Sequence, residues 1–347
     1  MTKTSRGRQT ETPTPMRQGG VMASMSRSSC RRFGIARRGA VVVCVALATL
    51  LAIPARATAQ QHKVFPTPEA AVQALTDAAK ASDLDGLLAV FGADGRELVS
   101  SSDPATVRQH RDVFVVAMAE KWRLVDAGAG RKELIVGNEA WPFPVPLVKT
   151  PTGWRFDTAA GKEEVLARRI GRNELATLRI CHTYVAAQRV YARRGHDGKP
   201  AGLYARRLTS EPGSQNGLYW PVTAGERHSP LGALVAGAAA EGHALGATRE
   251  PTPFHGYLFR ILEGAGAAAP RPARPYVIDG EMSGGFALVA WPAQYDATGI
   301  MTFVVNQDGV VYEKNLGPET AAAAAKIISF NPDDSWRPAE TAETGSR

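Results

Sequence analysis

Residues Glu163–Arg194 read EEVLARRIGRNELATLRICHTYVAAQRVYARR, and their spacing decides the fold. Leu166, Ile170, Leu178, Cys181 and Val185 recur at steps of three, four or their sums. Ile180, Tyr184, Ala187 and Tyr191 widen the same apolar stripe, as an amphipathic helix requires. Arg168, Arg169, Arg172, Arg179, Arg189, Arg193 and Arg194 mostly take the remaining directions. Gly195 supplies a stop, because glycine accepts the left-handed conformation after a last turn. Arg193 and Arg194 suit the negative end of a helix. A single helix over this stretch spans roughly 48 Å, longer than most globular helices. The reading therefore places a break at Gly171, where glycine costs about 1 kcal/mol relative to alanine, and a main helix from about Asn173. Residues 60–160 read as one small domain, and residues 161–336, led by this helix, as a second.

The first 59 residues read differently from the rest. Residues 1–30 are rich in Ser, Thr, Arg and Gly, and Arg31, Arg32, Arg37 and Arg38 then precede the apolar run 40–53. Ala57-Thr58-Ala59 places small residues where a signal peptidase reads them, before Gln60. Positive region, apolar region and cleavage site stand in the order of a secretory leader, and the run is short for a permanent span. The sequence thus predicts a signal peptide over 1–59, Sec-type export to the periplasm or medium, and no stable membrane insertion after cleavage. The leader holds ten of the 41 basic residues and one of the 33 acidic ones, so the remainder carries 31 and 32. The overall charge of +8 is then a property of the leader and gives no basic face for nucleic acid. Cys30 and Cys44 leave with the leader, so Cys181 has no partner for an internal disulfide. On the apolar stripe it reads as a small buried hydrophobe.

From 60 to 160 the pattern is helices followed by an antiparallel sheet, an α+β order. Pro68 after Thr67 opens a helix with a cap, Asp83 opens a second, and Asp103-Pro104 a third running to about Trp122. Strands are expected at 132–136, 144–148 and 154–157, the last two joined by a Lys149–Gly153 turn. Three prolines in Trp141–Pro146 lack donors and bar a central strand. That run reads as an edge segment or a polyproline-like recognition strip. From 161 to 336 one long helix precedes a meander with strands at 257–262, 285–291, 299–306 and 309–316, again α+β. Asn306-Gln307-Asp308-Gly309 is the hairpin signal. Residues 203–208 read as a helical turn and 337–347 as a disordered tail.

The chain carries three resemblances. Pro68-Glu69-Ala70-Ala71, Asp83-Leu84-Asp85-Gly86-Leu87 and Gly153-Trp154-Arg155-Phe156-Asp157 make the first domain similar to nuclear-transport-factor-2-like folds, which implies a cone able to hold a pocket. Leu178–Ala192, His255–Arg260, Gly285–Pro292 and Gly299–Tyr312 make the second resemble pilin-like and pseudopilin-like globular domains. The arginine-rich helix in mid-chain departs from that pattern, which begins with an apolar membrane-embedded half. Trp141–Val148, Gly153–Gly161, Arg168–Leu175 and Gly217–Pro221, with the strand block, resemble a bacterial exported family, domain-of-unknown-function family 2950, over nearly the whole mature chain. That resemblance implies no activity.

No H-E-x-x-H, Walker loop, G-x-S-x-G or C-x-x-C occurs. Gly280–Gly285 reads as a turn leading into a strand, and His182 points about 100° away from Cys181. Asp197 with Lys199 beside it falls short of the oxygens calcium needs. No catalytic residue, metal ligand or cofactor is assigned. His255 and Tyr257, if alternating on a strand, share a face. With Arg155, Arg168 and Arg172 they form the candidate ligand surface. The function expected is a non-enzymatic structural or interaction module at the cell envelope, with an envelope protein as the partner to look for. The alternative is a small-ligand binder or enzyme with a pocket in the first domain or at the junction.

Overall fold

Thr67 accepts a hydrogen bond from Ala70 N (3.1 Å), with Pro68 behind it, and starts α1 (Pro68–Ala81). Asp83 does the same for α2 (Leu84–Phe91), accepting from Gly86 N at 3.0 Å. Such side-chain caps satisfy the first amides of a helix. A 3-10 turn over Ala93–Gly95 leads to the short α3 (Arg96–Val99) and then α4 (Pro104–Glu120). The computed structural model describes residues 62–100, 104–222, 228–240 and 252–340. The leader pattern, His243, Asp103 and positions 341–347 lie outside the described residues.

The first sheet has β1 (Trp122–Asp126), β2 (Arg131–Val136), β3 (Trp141–Pro142), β4 (Leu147–Thr150) and β5 (Gly153–Phe156). Its order is β1-β2-β4-β5, all neighbours antiparallel, with β3 beside the far end of β2. β1 was not expected: Trp122 begins a strand paired with Val136 instead of ending α4. The proline run is an edge, pairing through Ile135↔Pro142 and Val136↔Trp141. Val72, Leu75, Phe91, Leu134, Leu147 and Phe156 fill the core between sheet and helices.

α5 (Thr158–Ala192) is one helix of 35 residues, roughly 52 Å long at 1.5 Å per residue. It runs through Gly171 without a break, which corrects the expectation. A Cβ at Gly171 would meet nothing within 4 Å, so no packing demand bends the helix there, and the turns on either side are held by tertiary contacts. Thr158 Oγ1 donates to Phe91 O (2.6 Å) at its start. Leu178, Cys181, Tyr184, Val185 and Tyr191 enter the second core near its end.

After α5 comes α6 (Gly232–Ala240), then β6 (Tyr257–Leu262). Two short hairpins come next: β7 (Gly264–Ala265) with β8 (Arg274–Pro275), and β9 (Val277–Ile278) with β10 (Glu281–Met282). The main strands are β11 (Ala287–Pro292), β12 (Met301–Asn306) and β13 (Val311–Asn315). α7 (Thr320–Ala325) and β14 (Arg337–Pro338) close the described chain. The antiparallel order is β14-β13-β12-β11-β6. Arg337 and Pro338 thus belong to the sheet rather than to a tail. Residues 203–208 are irregular, with bends at Arg206 and Leu208 and a bridge Tyr204↔Met282, and not helical.

Tyr257 and Arg260 stand three apart on β6 and so project to opposite faces. Tyr257 Oη reaches Glu174 of α5 (3.4 Å), while Arg260 donates to Ala324 O and Ile327 O at the end of α7 (2.7 and 2.8 Å). The sheet therefore lies between the two helices, and every residue of Ala287–Ala290 on β11 is buried. A near-continuous apolar strand is the sequence signature of that double cover. The described residues form an α+β structure with a long helix followed by antiparallel strands.

Candidate functional site

A cleft of about 500 Å³ opens at the C-terminal end of α5. Its geometry begins with Gly195. A Cβ there would collide with Lys199 O, so only glycine lets the chain double back so closely. Gly195 does not take a left-handed conformation; its part is close approach rather than the left-handed cap expected. The turn is completed by Asp197 (φ 50°) and Gly198 (φ 77°), with Lys199 N donating to His196 O.

His196 stacks on Tyr191, ring centroids 4.0 Å apart at 13°. Its Nε2 lies 3.1 Å from Tyr191 O and Nδ1 3.3 Å from Gln215 Oε1. Tyr191 Oη donates to Gln215 O (2.8 Å). Burial, then the charges of Asp197 and Glu281, push the Tyr191 phenol up to about 12, so it is a hydrogen-bond donor at neutral pH. Asp197 accepts from Ser214 Oγ (2.6 Å) and Gln215 N (2.9 Å). It thereby pins the helix-end turn to the 211–217 loop.

The other wall is ionic. Lys199 pairs with Glu281 (2.7 Å) and Arg206 with Glu263 (2.6 Å), Arg206 also donating to Gly280 O (3.2 Å). Arg207 Nη2 pairs with Glu211 (2.9 Å), whose other oxygen accepts from Asn216. Arg194, exposed, is among the residues lining the cleft, and its side chain has no partner among the described residues. The lining carries four cationic side chains, Arg194, Lys199, Arg206 and Arg207, against the carboxylates of Asp197, Glu263 and Glu281.

None of the five residues of the expected ligand surface lines this cleft. Arg155 lies on β5 opposite Val148. Arg168 bonds Glu164 (2.7 Å) and Pro142 O (2.8 Å) and stacks over Trp141, tying α5 to β3. Arg172 is exposed one turn further along. His255 and Tyr257 do not share a strand face. His255 (φ 45°) and Gly256 (φ 72°) form a two-residue turn closed by reciprocal Phe254–Tyr257 backbone bonds, the primed type that needs positive φ at both positions. Tyr257 is 0% exposed and donates to Met301 O (2.9 Å). Burial first, then Glu174, drive its phenol well above the usual range. The turn does sit beside α5, where Asn173 Nδ2 donates to Thr298 O (2.8 Å). Glu174 there accepts from Ile300 N and Met301 N (2.8 and 2.9 Å).

Burial holds the Cys181 thiol at about 12, while His182 faces solvent. The two make no nucleophile and base. Among the described residues no cluster of three or more His, Cys, Asp or Glu is arranged to hold a metal, and no helix is long and apolar enough to cross a membrane. The cleft escaped sequence reading because its walls come from five separated stretches, 191–200, 203–207, 216, 263 and 280–281. One usable signal was the Gly195–Lys199 turn directly after an arginine-rich helix end.

No curated protein and no solved structure matches the chain. One family model does, over residues 62–339, described as "Protein of unknown function (DUF2950)". That match takes in α1 through β14, both sheets and the cleft residues, and the chain belongs to this family.

Proposed function

We propose that the chain is exported and acts as a non-enzymatic binding module at the cell envelope, with the cleft at the end of α5 as its ligand face. The observation that carries this reading is the cleft itself. It is a polar cleft of about 500 Å³ built on the end of α5, and that volume lies in the range of small-ligand sites. Its carboxylates are all engaged by the protein's own donors, and its phenol stays protonated. Such groups suit fixing a polar ligand by hydrogen bonds. The leader pattern of residues 1–59 supports export, and the first and second sheets support the nuclear-transport-factor-2-like and pilin-like likenesses as proposals of ancestry. Two measurements test the reading. N-terminal sequencing of the protein recovered from the periplasm or medium should begin near Gln60; retention of the whole chain in the cytoplasm refutes export. A thermal-shift screen of small polar compounds should give hits abolished by Leu203→Trp, which fills the cleft. Hits that survive that substitution place the ligand elsewhere.

A protein partner is favoured by a separate observation. Trp122 (38% exposed) and Trp141 (46%) both pair with Val136 in register, which brings two large half-exposed rings to one end of the first sheet. Trp122→Ala with Trp141→Ala should abolish recovery of an envelope protein that the unaltered chain pulls down; equal recovery removes this face from consideration.

A further inference from the structure

We infer that the cleft receives the oxyanion of a small polar ligand, a carboxylate or a phosphate, and that Arg194 is the residue that takes it. This rests on the cleft being a ligand site and adds the ligand's chemistry.

The charges left without an internal partner set the sign of the ligand. Glu281 and Glu263 are matched by Lys199 and Arg206 at 2.7 and 2.6 Å. Asp197 has both oxygens bonded by Ser214 and Gln215 N. Each carboxylate of the lining thus already accepts from a donor of the protein, and the four cationic side chains of the lining outnumber the three carboxylates. Arg194, by contrast, has no partner among the described residues. Arg207 uses one terminal nitrogen on Glu211, leaving the rest of its fork. A guanidinium presents parallel donors that match a carboxylate or phosphate edge in a two-point contact, so arginines in one cleft lining favour an oxyanion over a neutral group.

The negative end of α5 opposes this, since a helix C-terminus disfavours anions. Its last carbonyls are already occupied. Arg193 N donates to Val190 O, Arg194 N to Tyr191 O and Gly202 N to Ala192 O, and His196 Nε2 faces Tyr191 O. With those carbonyls bonded, Arg194 is left as the cationic side chain of the lining with no partner among the described residues. The cavity also exceeds what a bare ion fills, so the oxyanion is one end of a larger polar molecule whose remainder lies against Tyr204 and Leu203.

The test uses protein purified from cells expressing the full sequence, titrated calorimetrically at fixed ionic strength with sodium phosphate, sodium succinate and neutral N-acetylglucosamine. Saturable binding of phosphate or of succinate is expected, and which of the two saturates distinguishes a phosphoryl from a carboxylate ligand. Arg194→Gln should weaken it by roughly tenfold or more, the size of a lost charged hydrogen bond, while Arg169→Gln, exposed on the same helix, leaves it unchanged. Equal binding by Arg194→Gln, or no saturable response to either anion, overturns the inference. If the sugar then binds and Leu203→Trp abolishes it, the cleft stands as a ligand site and only the oxyanion is refuted. If no probe binds, the reading of the cleft falls with it.

Discussion

Gln188 is 0% exposed and sits on the core side of α5. Its Nε2 donates to Ala205 O (2.8 Å) while its Oε1 accepts from Ala205 N (2.9 Å). One side chain thus plays the part of a neighbouring strand for Ala205, itself only 1% exposed. Nε2 also donates to Tyr184 Oη at 3.1 Å. Gln188→Met keeps length and approximate volume but removes both functions. The buried amide and carbonyl of Ala205 are then left unpaired, at about 1–3 kcal/mol each. Better apolar burial by the thioether returns about 1 kcal/mol. A net loss of about 3 kcal/mol is expected, and for a chain of this size that lowers Tm by about 6–12 °C. Urea unfolding gives the free energy, and hydrogen exchange at the Ala205 amide gives the cause, since that proton should lose its protection. A loss below about 1 kcal/mol with the Ala205 amide still protected refutes the reasoning. Because Ala205 lies between Tyr204 and Arg206, the same variant should also weaken any ligand of the cleft.

Stability should fall as pH rises above 9. Burial raises the Cys181 thiol from 9.0 to about 12, so the unfolded chain releases a proton that the folded chain keeps, and unfolding becomes easier through that window. The contribution approaches roughly 1 kcal/mol per pH unit. Cys181→Ala should make that fall shallower between pH 9 and 11, the raised phenols of Tyr191 and Tyr257 supplying the remainder above pH 10, and an unchanged slope refutes the Cys181 assignment. Cys181→Arg buries an unpaired charge under the sheet, costing several kcal/mol; soluble expression should be lost, and normal yield and melting would mean that the face is not buried. Gly195→Ala forces its Cβ against Lys199 O, at a cost of about 1–3 kcal/mol read by urea unfolding; equal stability would show that the turn relaxes freely.

Local rules carried the sequence reading where neighbours in the chain do the work. Thr67 and Asp83 cap the helices they precede, and the Asn306–Gly309 hairpin joins β12 to β13. The apolar stripe of α5 is the buried face. The same logic failed where distant residues decide. Gly171 stays helical because packing before and after it outweighs its propensity. Trp122–Asp126 shows weak alternation and becomes a strand by pairing with β2. His255 and Tyr257 alternate in sequence, yet the left-handed turn between them sends Tyr257 inward. The cleft was least legible, since an arginine's availability depends on which carboxylates the fold brings to its neighbours. Nothing in the sequence near Arg194 says that Arg206 and Lys199 will be matched and it will not.

The unbroken α5 also has a meaning for how the chain folds and transmits load. Its first turn is bonded to Phe91 in the first core, and Gly161 packs against Val145 there. Its last turns are embedded in the second core. A helix of this kind forms cooperatively from a costly nucleus, so each core supplies a nucleus for the other's portion of the rod. The two lobes should therefore melt in one calorimetric transition, and a tug on the cleft at one end should be felt as torque at the first sheet, some 50 Å away along the axis.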